Sequence, residues 1–487
     1  MPARFSFPVA VLLLISALSA GAQERVEYLL QLPQPGAARV RVEINIPDLP
    51  AGPQALVIPR AIPGSAGLTL YDRYLENVEA FDAAGAALAV QREADGPRWA
   101  LGATGASPAR VARVRYEVDL GRMERELLSA ADASKARARY VGLLGYSVFG
   151  YIEGTEFRRV RLRVEAPANW PVFTTLAPQA PAPFREIAAE APGFYELADS
   201  QIMMGPALLL RRFEGRVPLY LAVYAEGEVD LAVEGGLARE ALDRLLDYFG
   251  GAPFAHYTVH LELLRPVSPQ HNYFFSMEHT SSGTFYLGAG RGATPRSSDA
   301  DRARTRFNYA HHIAHSWIPK VVYGAGYKPF TWELTPVLDT WWFNEGFARY
   351  AAIDALADAM PAEEAAAYRA GEVARLRAIV ESAPPFLRAM DMVELSRVAS
   401  FAYSDDFRVG RSVFARGAVM AAEMDEEIRR ASNGAMRLRD ALRHLVAWGQ
   451  REQRAFRIDE LPALVAEGAG VNVDSVFVRW MRKGSDQ

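Results

Sequence analysis

The chain of 487 residues contains no cysteine. This absence excludes disulfides, thiolate nucleophiles, iron–sulfur clusters and cysteine-based zinc sites, so a bound metal ion would need histidine and carboxylate ligands. The sequence also lacks an excess of positive charge, because 54 Lys and Arg stand against 58 Asp and Glu. A slightly acidic chain is a poor partner for nucleic acid or an anionic membrane surface. Half of its residues are hydrophobic, which is enough for a large folded core.

Long hydrophobic runs are missing beyond the N-terminus. The apolar stretch from Pro8 to Ala20 follows Arg4 and precedes the small-residue sequence Ala-Gly-Ala that ends at Ala22. This stretch is too short to span a bilayer, and its layout is that of a secretory signal peptide. We therefore expect residues 1–22 to be removed and the chain to be exported, periplasmic or secreted, without a transmembrane anchor.

The spacing of apolar residues changes along the chain. Residues 23–235 contain short segments in which apolar and polar residues alternate, separated by stretches rich in proline and glycine. This pattern predicts an N-terminal antiparallel β-sandwich-like domain whose last strands reach Val233. Helical spacing begins at Leu237 and dominates from Ser298 onwards. The sequence therefore predicts a multi-domain α+β protein with a mainly helical domain at residues 236–400 and a C-terminal helical part at residues 401–487.

Histidine is scarce, and seven of the eight histidines lie between His256 and His315. His311 and His315 are four residues apart in a predicted helix that begins at Ser298 and ends before Pro319. Imidazoles at this spacing lie one above the other, about 6 Å apart, and can bind the same zinc ion. Taken alone, however, the spacing is more typical of a solvated or core pair than of a ligand pair.

A lone acidic residue follows among bulky apolar residues. Glu345 stands in the segment 339–350, which is rich in tryptophan and phenylalanine. Such a carboxylate is costly to bury unless a positive charge compensates it. Taken alone, Glu345 is more typical of a salt-bridged or first-turn helix glutamate than of a metal ligand.

Four segments then occur in a recognisable order, at residues 277–282, 311–317, 327–335 and 342–350. The sequence resembles the glycyl aminopeptidase family, zinc metallopeptidases of the gluzincin type. That family has a Glu-His loop, a His-Glu-x-x-His helix followed by Trp, a Pro-Phe segment leading to Glu and Thr, and Trp-x-x-Glu-Gly. The resemblance implies a thermolysin-like fold for residues 236–400.

The resemblance also implies functional residues. It implies one Zn²⁺ held by His311, His315 and Glu345. It implies that Glu278 lies near the free amine of a peptide, with His279 beside it. In active members of the family, the glutamate of the motif takes a proton from water, and a tyrosine stabilises the oxyanion.

This chain departs from the family at both groups that handle protons or the oxyanion. His312 stands at the position of the motif glutamate, and Phe414 at the position of the tyrosine. Losing a general base costs about 10²–10⁴ in rate, and losing an oxyanion donor costs about 10²–10³. We therefore predict a zinc-binding protein with weak or no peptidase activity that binds peptide or protein N-termini. The chain after Gln450 is also too short for the PDZ domain that many relatives carry.

Two other functions remain open. His312 could serve as the base of an active metallo-aminopeptidase, because a neutral imidazole is a competent base near its usual pKa of about 6.5. A neighbouring zinc ion would oppose this role, since it disfavours the imidazolium that proton abstraction produces. The third alternative is a metal-free scaffold whose β domain contacts other proteins.

Overall fold

The computed structural model describes residues 25–50, 52–102, 110–127, 133–178 and 186–482. The predicted signal peptide lies outside the described residues. The chain divides into two compact units, and the second unit includes two short segments from the N-terminal half, Arg60–Leu70 and Arg125–Asp132, together with the chain from Ala207. In the part of the chain that the structure describes, no helix is long and apolar enough to cross a membrane.

The first unit is built mainly of strands. Its strands are β1 (Val26–Gln31), β2 (Arg39–Asn45), β3 (Gln54–Val57), β4 (Leu75–Phe81), β5 (Ala87–Leu88), β6 (Val90–Arg92), β7 (Arg98–Leu101), β8 (Arg113–Asp119), β9 (Lys135–Arg137), β10 (Tyr140–Leu144), β11 (Tyr151–Ile152), β12 (Val160–Glu165), β13 (Val172–Thr174), β14 (Glu186–Ala191) and β15 (Gln201–Met204). In the described residues, three short α-helices accompany them: α1 (Leu120–Glu126), α2 (Gly145–Val148) and α3 (Phe194–Ala198).

These strands form three sheets. The largest has the order β14-β12-β1-β2-β8-β4-β5, and the two four-stranded sheets have the orders β13-β15-β10-β9 and β11-β3-β7-β6. In β2 every second residue is buried, as its alternating sequence predicts. Most neighbouring strands are antiparallel, but β1 and β12 run parallel, with Val26 opposite Val160. The large sheet is therefore mixed, and the long segment between the two strands provides the crossover that a parallel pair requires.

The second unit contains one five-stranded sheet. Its strands are β16 (Leu209–Phe213), β17 (Leu219–Ala225), β18 (Tyr257–Leu264), β19 (Phe274–Glu278) and β20 (Ser282–Gly288), in the order β16-β17-β18-β20-β19. The three central strands are parallel, and both edge strands are antiparallel to their neighbours. Every residue of β18 is buried, as expected for a central parallel strand covered on both faces.

The second unit also contains a series of α-helices. In the described residues they are α4 (Leu231–Phe249), α5 (Asp299–Ala314), α6 (Trp341–Ala357), α7 (Ala362–Ser382), α8 (Pro385–Arg388), α9 (Met392–Ala402), α10 (Phe407–Ala431), α11 (Leu438–Glu452), α12 (Leu461–Ala469) and α13 (Asp474–Met481). The predicted class, an N-terminal β region followed by a mainly helical region, is confirmed.

Helix α4 begins earlier than its spacing predicts. The sequence places strands up to Val233 and the helix from Leu237, but the helix starts at Leu231. The reason is Asp230, whose carboxylate accepts hydrogen bonds from the N–H groups of Ala232 and Val233 at 2.8 and 3.1 Å. This N-cap satisfies two of the donors that a helix start leaves open, so the prediction of strand at Val233 is wrong.

Candidate metal centre

Helix α5 carries the two histidines that the sequence singles out. Ser298 caps its start, since the Ser298 hydroxyl accepts a hydrogen bond from the N–H of Asp301 at 3.1 Å. The helix ends at Ala314, earlier than predicted from Pro319, and leaves His315 as its C-cap residue. There the Nδ1–H of His315 donates to the carbonyl oxygen of Ile318 at 2.9 Å. This hydrogen bond holds the ring and leaves its Nε2 as the atom that can bind a metal.

Helix α6 carries the third residue, Glu345. The neighbouring Gly346 packs against α10 so closely that a Cβ there would lie 2.4 Å from the Cα of Gly417. Conversely, a Cβ on Gly417 would lie 1.8 Å from the carbonyl oxygen of Trp342. Two glycines facing each other at this crossing therefore allow α6 and α10 to touch backbone to backbone. The contact fixes the turn of α6 from which Glu345 projects.

The structure brings His311, His315 and Glu345 together. Oε2 of Glu345 lies 3.3 Å from Nε2 of His311 and 3.5 Å from Nε2 of His315, and the two Nε2 atoms are 3.4 Å apart. All three side chains are buried. Among the described residues, no other group of three or more histidine and acidic side chains lies close enough together to hold a metal ion.

The size of this triangle fits zinc. The centre of a triangle with such edges is about 2 Å from each corner, which is the usual length of Zn–N and Zn–O bonds. Two neutral imidazoles and one carboxylate are also ligands that zinc commonly accepts, and they leave a fourth position open. His311, His315 and Glu345 could therefore hold one Zn²⁺ without rearrangement.

The charges of these groups depend on one another. Burial lowers the pKa of His311 to about 4. Burial also acts to lower the pKa of His315, but the negative charges of Glu278 and Glu345 outweigh it and raise that pKa to about 9. Burial acts to raise the pKa of Glu345, yet the positive charge of His315 and hydrogen bonds from both imidazoles hold it well below its usual range. Without a metal ion, an imidazolium on His315 thus compensates the buried carboxylate, a role that a dication would take over.

His312, at the position of the family's catalytic glutamate, lies next to the cluster but outside it. Its Nδ1–H donates to the carbonyl oxygen of Asn308 at 2.8 Å, one helical turn earlier. Its ring meets Phe285 edge to face, with centroids 5.2 Å apart. Burial, together with the neighbouring imidazoles, lowers the pKa of His312 to about 3. The ring is therefore neutral and much less basic than a solvated imidazole.

Glu345 also lines a small cavity of the second unit with a volume of about 10 Å³, which is the space of about one water molecule. The other lining residues come from the segment 60–70, from β19, from the loop before α6 and from α6 itself, and they are Gly64, Ser65, Glu278, Pro319, Tyr327, Phe330, Pro336, Leu338, Trp341 and Asn344. The cavity is thus lined both by Glu345, a candidate metal ligand, and by the predicted amine-binding carboxylate, Glu278.

Glu278 stands at the end of the edge strand β19, almost completely buried. Burial raises its pKa to about 7, even though nearby positive groups, among them His315, act in the opposite direction. The backbone of Gly64 closes over this carboxyl, because a Cβ on Gly64 would lie 2.4 Å from Oε1 of Glu278.

Two predicted site residues lie elsewhere. His279 is buried, and its Nε2 is 3.1 Å from the hydroxyl of Thr284. Phe414 packs against Tyr403 and Phe407, with ring centroids 5.6 and 6.3 Å apart. Neither His279 nor Phe414 is among the described residues that line the cavity.

Among the residues of the cavity wall, the sequence predicted only Glu278 and Glu345 as site residues, and Asn344, Gly64 and Ser65 are among those it missed. Asn344 precedes Glu345 in the chain, so the motif itself could have drawn attention to it. Gly64 and Ser65 lie in a part of the sequence that otherwise belongs to the first unit. No spacing in the sequence indicates that this segment joins the helical region.

Residues 27–206 match the model of the peptidase M61 N-terminal domain. No curated protein matches the chain in a sequence search.

Several solved structures share the fold. An aminopeptidase N family protein from Idiomarina loihiensis has a TM-score of 0.80 at 17% identity, over 94% of this chain and 76% of that chain. An M1 zinc metallopeptidase from Deinococcus radiodurans, a mutant bound to a Tyr-Ser-Ala substrate, has a TM-score of 0.55 at 16% identity, over 96% and 94%. Yeast LTA4 hydrolase has a TM-score of 0.54 at 12% identity, over 94% and 67%.

Identities this low show the fold alone, whereas the N-terminal match is a match to a peptidase family. The family-model match over residues 27–206 and the shared fold agree with the resemblance found in the motifs, a resemblance to gluzincin-type zinc metallopeptidases.

Proposed function

We propose that this chain is an exported zinc-binding relative of the glycyl aminopeptidases that binds peptide N-termini and hydrolyses them weakly or not at all. One observation carries the proposal: His311, His315 and Glu345 converge at zinc-binding distances, while His312 and Phe414 replace the base and the oxyanion tyrosine. A bound Zn²⁺ would supply a Lewis acid for a carbonyl oxygen.

Poor hydrolysis follows from what His312 can do. Its Nδ1–H is engaged by the carbonyl oxygen of Asn308, so only Nε2 could accept a proton. A general base works best when its pKa lies near the working pH, and the pKa of His312 is lowered to about 3. A proton taken up by His312 would also stand beside two imidazoles and a dication, which disfavours it further.

The proposed oxyanion site is equally incomplete. Phe414 has no hydroxyl and packs in an aromatic group with Tyr403 and Phe407. The two losses act on the same step, so their costs do not simply add.

Binding of a peptide N-terminus is supported by the cavity. Glu278 and Glu345 line the same space, and most of the remaining wall is apolar. A carboxylate beside a metal suits a ligand that carries a free amine next to a carbonyl group. The Deinococcus radiodurans metallopeptidase of similar fold is described as binding a Tyr-Ser-Ala substrate, which is a ligand of this kind.

The test combines metal analysis with an aminopeptidase assay on purified protein. We expect about one zinc ion per chain and turnover at least about 10⁴-fold below that of an active relative. The informative variant is His312→Glu, in which turnover should rise because a carboxylate base is restored.

Three results would contradict the proposal. Fast zinc-dependent turnover of the natural chain that His312→Ala abolishes would make it an active aminopeptidase with His312 as base. Absence of bound metal would leave the metal-free scaffold. An N-terminus that still contains residues 1–22 in the natural host would contradict export, and mass spectrometry of the mature protein measures it.

A further inference from the structure

Asn344 is a buried amide with unsatisfied polar atoms. It is 2% exposed, and within the described part of the chain neither its Nδ2 nor its Oδ1 has a hydrogen-bond partner. Leaving a buried polar group unpaired costs about 1–3 kcal/mol, so proteins rarely keep one without a reason. A leucine, whose side chain has the same branching but no polar atoms, would avoid the cost.

The position of Asn344 points to a ligand. It lines the cavity between Glu278 and the metal-binding Glu345, and it precedes Glu345 on α6. Much of the surrounding wall is apolar, including Pro319, Leu338 and Trp341. An amide in such surroundings is a strong determinant of orientation, because each of its donors and acceptors selects for a matching group on the ligand.

We propose that Asn344 is a specificity-determining residue that recognises the first residue of an aminoacyl ligand. Its Nδ2–H₂ donates to the carbonyl oxygen of that residue, and its Oδ1 accepts from the α-ammonium group, which Glu278 also binds. The ligand class is therefore an α-amine with an adjacent carbonyl, as in an amino-acid amide or a peptide N-terminus, and not a simple amine. This inference rests on the proposed function.

Two small ligands separate the contributions of the carboxylate and the amide. L-Alaninamide carries both the amine and the carbonyl, whereas isopropylamine has the amine and the methyl groups but no carbonyl. Affinities for both are measured by calorimetry on the zinc-loaded full chain, and the ratio of the two affinities reports recognition of the carbonyl.

Asn344→Leu and Glu278→Gln form a matched pair of variants. We expect Asn344→Leu to weaken L-alaninamide binding about 10- to 100-fold, as expected for two lost hydrogen bonds, and to reduce the ratio about 5- to 10-fold. Glu278→Gln should weaken both ligands alike and leave the ratio unchanged. An unchanged ratio in Asn344→Leu would overturn the proposal.

Thermal unfolding and zinc content distinguish ligand recognition from a structural role. Without ligand, Asn344→Leu should retain one zinc ion and unfold at the same temperature as the natural chain or higher, because no internal hydrogen bond is lost. Loss of zinc or a melting temperature lower by several degrees would overturn the proposal. If the natural chain itself binds no zinc or no L-alaninamide, the proposed function fails instead, and the two failures are thereby distinguishable.

Discussion

At the scale of single residues, the metal centre shows which parts of a site a sequence can predict. The i, i+4 spacing of His311 and His315 is sufficient to predict two imidazoles on the same helix face, and the structure has them there. The spacing does not predict that Glu345, on another helix, lies beside the two imidazoles. Only the order of the family motifs predicts it. The sequence does not predict a role for Asn344, because an asparagine in a motif gives no sign that its amide is buried without hydrogen-bond partners.

The raised pKa of Glu278 predicts a pH dependence of stability in the zinc-free protein. The usual pKa of a glutamate is about 4.5, and that of Glu278 in the folded state is about 7. Between these two pH values the folded state holds a proton that the unfolded state has lost. The contribution of the Glu278 carboxyl to stability is therefore full below pH 4.5 and is lost as pH rises to about 7.

Glu278→Gln should remove this contribution. We therefore expect chemical denaturation of chelator-treated protein to show the natural chain losing stability relative to Glu278→Gln as pH increases from 4.5 to 7. A parallel pH dependence of the two proteins would contradict the buried, protonated state of Glu278.

Gly64 predicts a second effect at this scale. Its φ is +94°, and an added Cβ would lie 2.4 Å from Oε1 of Glu278. We expect Gly64→Ala to displace the Glu278 carboxyl and to weaken L-alaninamide binding more than about 10-fold, because backbone strain and a steric clash coincide. Gly434→Ala is the control, since Gly434 also has a positive φ, +80°, but open space around it. Equal binding by the two variants would show that the segment at Gly64 does not shape the site.

At the scale of elements, the crossing of α6 and α10 links the core to the metal centre. Gly417→Ala would push a methyl group into the carbonyl oxygen of Trp342, one turn from Glu345. We expect this variant to lose at least about 2 kcal/mol of stability, as overpacked sites do, and therefore to unfold at a lower temperature. It should also bind zinc less tightly.

Gly371→Ala is the matched control for this crossing. Gly371 lies on the exposed face of α7 with nothing near its Cβ position. Alanine there should stabilise the helix by about 0.5–1 kcal/mol without changing zinc affinity. Thermal unfolding with zinc titration measures both variants, and equal effects would contradict the role of the close crossing.

The helix starts show how local chemistry decides boundaries. Ser298 begins α5 where the sequence predicts it, because serine followed by acidic residues is a strong capping signal. Asp230 gives α4 an equally good cap, but the apolar residues after it, Leu231 and Val233, also suit a strand. Apolar spacing alone therefore put this boundary six residues too late.

At the scale of the whole molecule, zinc should stabilise the fold. A ligand that binds only the folded state adds about 2.7 kcal/mol when its concentration is 100 times its dissociation constant. We expect a chelator to lower the melting temperature of the natural chain and zinc to restore it. Glu345→Gln is the control, since it removes a ligand atom and should unfold at one temperature with or without chelator. An unchanged melting temperature of the natural chain would indicate that the cluster holds no metal.

The overall class was also predictable, whereas the cavity was not. Alternating and helical spacing are local signals, so a β region followed by a helical region follows from the sequence. The cavity depends on residues far apart in the chain, from Gly64 to Glu345, and on the burial of charges that no local pattern encodes.

The segment Arg60–Leu70 has a consequence for how this protein is made and dissected. It belongs to the second unit although the chain before and after it belongs to the first. A fragment that begins at Ala207 would therefore lack Gly64 and Ser65 from the wall of the cavity. During synthesis this segment leaves the ribosome long before the helices it joins, so the wall cannot be completed until translation has passed Glu345.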